Sequence, residues 1–278
     1  MTATLPDQPM HWDDGDEPAA ASATAPADPW TALRRHTPAR LALGRAGTSL
    51  PTPEVLRFAA AHAAARDAVH LPLDVEALRA QLRAHGHDAV VVASRAASRA
   101  EYLARPDLGR QLAPDSRAAL RRDEPVGLCI VVGDGLSAVA AQRHAAAVVH
   151  ALLESLEDEG AVQLVVATQA RVALGDEIGE ALGAPLVLVL LGERPGLSSP
   201  DSLGAYLTWA PRAGRADSER NCVSNIRPEG LALPAAAARL AWLVRESRRR
   251  RVTGIGLKDD SEVATLDGGS PALPGAAT

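Results

Sequence analysis

Three short apolar runs constrain this chain more than any other feature: Leu128–Val132 (LCIVV), Val162–Thr168 (VQLVVAT) and Leu186–Leu191 (LVLVLL). None carries the polar alternation of a strand with one face in water, so each reads as a strand buried on both faces. A helical stretch from about Ser137 to Glu157 separates the first two, and a helix within GDEIGEALG separates the second from the third. Strand, helix, strand, helix, strand is the signature of parallel strands joined by crossover helices. The predicted fold class is therefore α/β, with a Rossmann-like, mostly parallel sheet domain over 125–258, preceded by an N-terminal helical region over 29–124.

The flanking segments read differently. Residues 1–28 are rich in Ala, Pro, Asp and Thr without periodicity, which predicts a disordered leader. Asp28 and Pro29 suit the cap and first position of a helix. Thr52-Pro53-Glu54 opens an Ala-rich helical run, and DVEALRAQLRAHG is a second one that stops at Gly86 with His85 in its last turn. VVVAS (Val90–Ser94) is short and β-branched enough to be a strand. A last helix is expected over roughly Pro234 to Arg249, and a flexible tail over 259–278.

Composition narrows the function classes. Of 278 residues, 47% are hydrophobic but only 3% aromatic, so Ala, Leu and Val must fill the core. A formal net charge of -5 argues against a broad nucleic-acid surface. The run Arg248–Arg251 fits the polar end of a helix, where cations complement the dipole, or a patch for an acidic partner. Lys258 is the only lysine and sits beside Asp259 and Asp260, a poor setting for Schiff-base chemistry. Cys129 lies in an apolar run and reads as a buried hydrophobe, and its distance in sequence from Cys222 suggests neither a disulfide framework nor zinc. No secretory signal and no membrane-length apolar run is evident, so the expectation is a soluble, cytoplasmic protein.

In an open α/β sheet, ligands bind beyond the C-terminal ends of the strands. Three loops qualify. GDGLS (Gly133–Ser137) lacks the third glycine of a dinucleotide fingerprint and the Gly-Lys-Ser/Thr of a phosphate loop; it is either a tight strand-to-helix turn or a ligand contact. The second loop brings Arg171, Val172, Asp176, Glu177 and Glu180, where the acids serve either as helix-start residues or as ligand contacts. The third, GERPGLSSPDSLG (Gly192–Gly204), offers Glu193 as a hydrogen-bond acceptor, unless it simply pairs with Arg194. A fourth loop, ERNCVSNIRPEG (Glu219–Gly230), holds Cys222, for which nucleophilic, structural and ligand-contact roles stand open; no histidine follows His150 to act as a nearby base in sequence. His85 and His87 do not form a metal-ligand set. No catalytic constellation and no metal site is expected.

Taken together, TPARLALGRAGTSLPT, YLARPDLGRQL, VVGDGLSAVA, GDEIGEALGA, GERPGLSSPDSLGAYLTWAPR and RNCVSNIRPEG occur in one succession from about Trp30 to Lys258. In that order they resemble the light subunits of ethanolamine ammonia-lyase. The resemblance implies conversion of ethanolamine to acetaldehyde and ammonia with adenosylcobalamin (coenzyme B12), in a higher-order hetero-oligomer. A large subunit would carry the radical chemistry, while this chain covers one side of the cofactor and is inactive by itself. It also implies that the family's cobalamin contacts fall here on Val172, Glu193 and Cys222. Some such enzymes work inside a bacterial microcompartment; the leader here has no clear amphipathic helix of the kind used for encapsulation.

Overall fold

The computed structural model describes residues 30–120, 124–156 and 160–261. The leader expected over 1–28 and most of the tail expected over 259–278 lie outside the described residues. The chain divides into two compact units, Met1–Glu54 and Val55–Thr278. In the first, the short helix α1 (Thr31–Arg34) precedes a chain that Arg34 holds through its Nε on the Leu41 carbonyl at 2.9 Å.

Helix α2 (Thr52–His70) starts where Thr-Pro-Glu placed it. It is followed by α3 (Val75–Ala84), where the Asp74 side chain accepts from the Ala77 N–H at 2.9 Å and Gly86 leaves with φ +82°. These are the start and stop signals of the sequence made physical. Strand β1 (Ala89–Ala93), α4 (Arg99–Ala104) and α5 (Pro114–Ala119) come next. The alternating segment is β2 (Leu128–Gly133), α6 (Ala138–Ser155), β3 (Val162–Thr168), α7 (Leu174–Ala181) and β4 (Leu186–Gly192). It ends with β5 (Leu203–Trp209), β6 (Arg220–Ile226) and α8 (Leu233–Arg250).

The six strands form one sheet in the order β1-β3-β2-β4-β5-β6. Strands β1, β3, β2 and β4 are mutually parallel, while β5 is antiparallel to β4 and β6 antiparallel to β5. The apolar runs are buried on both faces, as their lack of alternation demanded. Leu128, Ile130 and Val132 join Leu186, Leu188 and Leu190 in a core shared with α6 and α8, whereas Cys129, Val131, Val187 and Val189 join Leu174 and Ile178 of α7 on the opposite side. Period two sends neighbours to opposite faces, and crossover helices cover both. Cys129 is fully buried, and that burial pushes its thiol pKa up, so it is the inert core residue the sequence indicated.

Two strands were not legible in the sequence. The expected loops at Gly192–Gly204 and Glu219–Gly230 each run into one, β5 and β6. Their pairing slips between Leu203 and Ala205, and β6 buries only Arg220, Val223 and Ile226, so no clean alternation marks it. Among the described residues no helix is long and apolar enough to cross a membrane.

Candidate functional site

The strand order reverses beside β2. From β2 the chain crosses through α6 to β3 on one side, and from β3 through α7 to β4 on the other. At such a switch point the two crossovers part and leave a crevice beyond the strand ends. A cleft of about 450 Å³ opens there, walled by Gly135 and Leu136 after β2, Ala170, Arg171 and Val172 after β3, and Gly192, Glu193 and Arg194 after β4. Tyr102 and Tyr206 complete it.

GDGLS proves to be a tight turn. Asp134, 2% exposed, accepts from the N–H groups of Gln169 at 2.9 Å and Ala170 at 2.8 Å, tying the end of β2 to the end of β3. Gly135 takes φ +56°, and a Cβ there would stand 2.2 Å from the Gly192 carbonyl oxygen. A Cβ on Gly192 would in turn stand 1.8 Å from the Ser137 carbonyl oxygen. Backbone meets backbone, so neither position has room for a side chain. Ser137 caps α6 by accepting from the Ala140 N–H at 3.2 Å and donates its hydroxyl to the Pro200 carbonyl at 2.7 Å.

The acids of α7 are likewise structural. Asp176 is not a helix cap: it forms a buried bidentate pair with Arg220 of β6 at 2.6 and 2.7 Å, and Arg220 also reaches the Thr208 hydroxyl at 3.0 Å. Glu177 accepts from the Leu112 N–H at 2.8 Å, and Glu180 from the Ala213 N–H at 3.3 Å. Each carboxylate fastens a different segment to α7.

The Gly192–Gly204 loop is tied to α6 through Asp201. Asp201 accepts from Arg143 at 3.0 Å and stands 3.4 Å from His144 Nε2. Burial works to raise the Asp201 pKa, but the hydrogen bonds and charges of Arg143 and His144 outweigh it and hold the carboxyl below its usual range. Glu193 does not pair with Arg194. Its carboxylate accepts from the Ser202 hydroxyl and from the Asn225 N–H, the latter at 3.2 Å.

Cys222 lies on β6 directly across from Tyr206 of β5. It is exposed, so it is not a core thiol. Desolvation against the sheet, then the charge of Glu193, pushes its pKa up, with the Tyr206 hydroxyl opposing. A thiol held protonated is the reverse of an activated nucleophile. The same desolvation, with Cys222 and Glu193 nearby, pushes the Tyr206 phenol up.

Residues 27–258 match the family model described as "Ethanolamine ammonia-lyase light chain (EutC)". The chain is 52% identical over 261 residues to the ethanolamine ammonia-lyase small subunit of Ralstonia nicotianae, covering 91% of this chain and 97% of that one. It is 55% identical over 248 residues to the small subunit of Azotobacter vinelandii, covering 87% and 92%. Against the small subunit of Pseudomonas syringae pv. tomato it is 50% identical over 270 residues, covering 95% and 92%. The chain belongs to the ethanolamine ammonia-lyase light chain family.

Several motifs that mark this light chain owe their residues to the fold: Gly135 and Gly192 to close backbone approach, Asp176 and Arg220 to one buried ion pair. Of the three positions singled out in sequence, Val172 and Glu193 line the cleft, whereas Cys222 does not and lies on β6 across from the cleft residue Tyr206. Two cleft residues, Tyr102 and Tyr206, lie within YLARPDLGRQL and GERPGLSSPDSLGAYLTWAPR but were not singled out as site residues. They are the only tyrosines in a chain that is 3% aromatic, and both face the cleft; that scarcity was the available signal. Among the described residues no group of three or more His, Cys, Asp or Glu is placed to hold a metal ion.

Proposed function

We propose that this chain is the small subunit of an adenosylcobalamin-dependent ethanolamine ammonia-lyase and forms one wall of the cofactor site, a large subunit forming the other. The observation that carries this reading is the convergence of Val172, Glu193 and Tyr206 on one cleft at the switch point of a light-chain fold, with Cys222 on the neighbouring strand across from Tyr206. The residues fit the group. A corrin ring is broad, apolar and edged with amides, and it requires flat apolar surface with a few acceptors at its margin. Gly204 keeps the sheet level next to Glu193, since a Cβ there would stand 2.9 Å from Glu193 Oε1. Val172 and Tyr206 supply apolar surface, and Glu193, held by Ser202 and Asn225, supplies a fixed acceptor.

The bound cofactor supplies the radical chemistry by which ethanolamine yields acetaldehyde and ammonia. This chain's residues bind and orient it and exclude water from one side. None of them moves a proton in the reaction, in keeping with the protonated Cys222 thiol and the structural use of Asp134, Asp176 and Glu177. A shared site also accounts for apolar surface turned outward on α2, where Val55, Leu56 and Phe58 are 48, 64 and 49% exposed and suited to burial against another chain. Pairs of large and small subunits would assemble further, in the cytoplasm or in a microcompartment.

Co-expression with the cognate large subunit, followed by an acetaldehyde assay with and without adenosylcobalamin, tests the proposal. Activity of the mixture that needs the cofactor, and none from this chain alone, is the expected result. An inactive mixture, with the same large subunit active beside another small chain, contradicts it.

A further inference from the structure

The Tyr102 ring, fully buried, lies between two guanidinium groups: Arg99, whose Cζ is 4.7 Å from the ring centroid, and Arg171, at 4.3 Å. The two cations are treated unequally. Arg99 donates to the carbonyls of Val69 at 2.6 Å and Gly135 at 2.8 Å and stands 3.4 Å from the Asp134 carboxylate. Arg171 has one long bond, from Nη2 to the Tyr102 carbonyl at 3.4 Å, and its enclosed Nε–H meets no acceptor. Among the described residues no carboxylate pairs with it. Arg194, across the same cleft and exposed, likewise has no side-chain partner among them.

The one carboxylate in the cleft does not balance them, because Glu193 is committed to Ser202 and Asn225. Nor is the Arg171 stack accidental. The Arg171 N–H donates to the Gly109 carbonyl at 2.9 Å, and a Cβ at Gly109 would stand 2.9 Å from Tyr102 Cδ2 and 3.0 Å from Arg171 Cγ. Glycine at 109 therefore leaves room for the Arg171 side chain to bring its guanidinium over the ring. A preorganised, partly buried and uncompensated guanidinium is the arrangement that receives phosphate oxygens, through its planar fork of donors.

We infer that Arg171, with Arg194 at the rim, forms an anion subsite of the cleft that takes the phosphodiester in the nucleotide tail of the cobalamin. The inference rests on the cofactor reading above and adds to it which part of the ligand lies where: the tail against Arg171, which Tyr102 backs from beneath, and the ring toward Tyr206. Charge complementarity carries it. Two unpaired guanidiniums meet a ligand whose one anionic group is that phosphodiester.

Cobinamide has the corrin ring without the phosphate-bearing nucleotide, so it separates the two contributions. With the assembled large and small subunits, equilibrium dialysis measures binding of cyanocobalamin and of cobinamide to wild type, Arg171→Gln, Arg194→Gln and Glu193→Ala. Losing a charged hydrogen-bond donor predicts cobalamin affinity weaker by roughly ten- to a hundredfold in Arg171→Gln, less in Arg194→Gln, with cobinamide affinity unchanged. Equal losses for both ligands, or no loss for cobalamin in either arginine variant, overturn the inference. Should Arg171→Gln not fold, as a thermal melt would show, Arg194→Gln at its exposed site decides the matter alone. Competition with ATP and with inorganic phosphate distinguishes the phosphate source: Arg171-dependent displacement of cobalamin by either at lower concentration than cobalamin itself overturns the corrinoid assignment. The cofactor reading fails separately, and takes the inference with it, if wild type binds neither corrinoid or if Glu193→Ala leaves both affinities unchanged.

Discussion

The sheet has two parts built on different terms. The parallel part, β1-β3-β2-β4, is covered by helices, with Leu128, Ile130 and Val131 at 0% exposure. The antiparallel pair β5–β6 is packed on one face, where Leu203, Leu207 and Val223 meet α8, while on the other Tyr206 is half-buried and Cys222 exposed. The first part spends its side chains on burial and sets where the strand ends, the turns and the cleft fall. The second leaves Tyr206 at the edge of that cleft and Cys222 exposed beside it, while Thr208 and Arg220 on the same face are buried. Full and partial burial are divided between them, and the Asp176–Arg220 pair joins α7 of one to β6 of the other.

The division can be broken at that joint. Asp176→Ala leaves Arg220 charged and buried without its partner, and a loss of about 3–5 kcal/mol is expected from urea unfolding of the chain. A loss below about 1 kcal/mol would mean that the two parts are not coupled through this pair. Ile130→Ala, in the middle of the parallel part, should cost about 2–5 kcal/mol by cavity formation. Cys222→Ser on the open face should change stability by less than about 0.5 kcal/mol in the same experiment. Comparable losses at both positions would erase the contrast.

Acid should weaken the molecule at a third place. Burial, then the neighbouring His150 and His85, lowers the His87 pKa from 6.5, and the His85 and His150 rings stack at 4.1 Å. The unfolded chain binds a proton there more readily than the folded one, so stability is full above the unfolded value and falls as the pH drops from 6.5 toward the lower folded value. Melting temperatures taken from about pH 7.5 to about pH 5 should fall in this window, and the slope should shrink in His87→Gln. The smallest expected effect is at the open face. Tyr206→Phe removes the hydroxyl that favours the Cys222 thiolate, so the pH profile of Cys222 alkylation should move upward. A downward shift would contradict that effect of Tyr206 on Cys222.

The parallel part was legible because burial on both faces writes itself as uninterrupted apolar runs, and because the helix stop at Gly86 and the helix start near Ser137 have local causes. The open face was not. Its strands mix Gly204, Tyr206, Asn221 and Cys222, residues selected by what they meet and not by a repeating pattern, and the slip near Leu203 breaks the alternation further. Glu193 and Val172 were visible as residues at strand ends. Arg171 appeared only as a member of its loop, since its meaning lies in Tyr102 and Gly109, which reach it from about sixty to seventy residues away in sequence. Asp176 was visible as an acid near a helix start, but its ion pair was not, because its partner Arg220 lies on a strand the pattern did not reveal.

The central claim is that the cleft and the open face form one wall of a cobalamin site. Its most direct test is the cobalamin dissociation constant of the assembled enzyme carrying Glu193→Ala, with folding checked by thermal melt. Glu193 is half-buried and already held by Ser202 and Asn225, so its removal should leave the fold intact and weaken cobalamin binding by about tenfold. An unchanged dissociation constant in a folded, assembled complex would make this chain a scaffold and not part of the cofactor site.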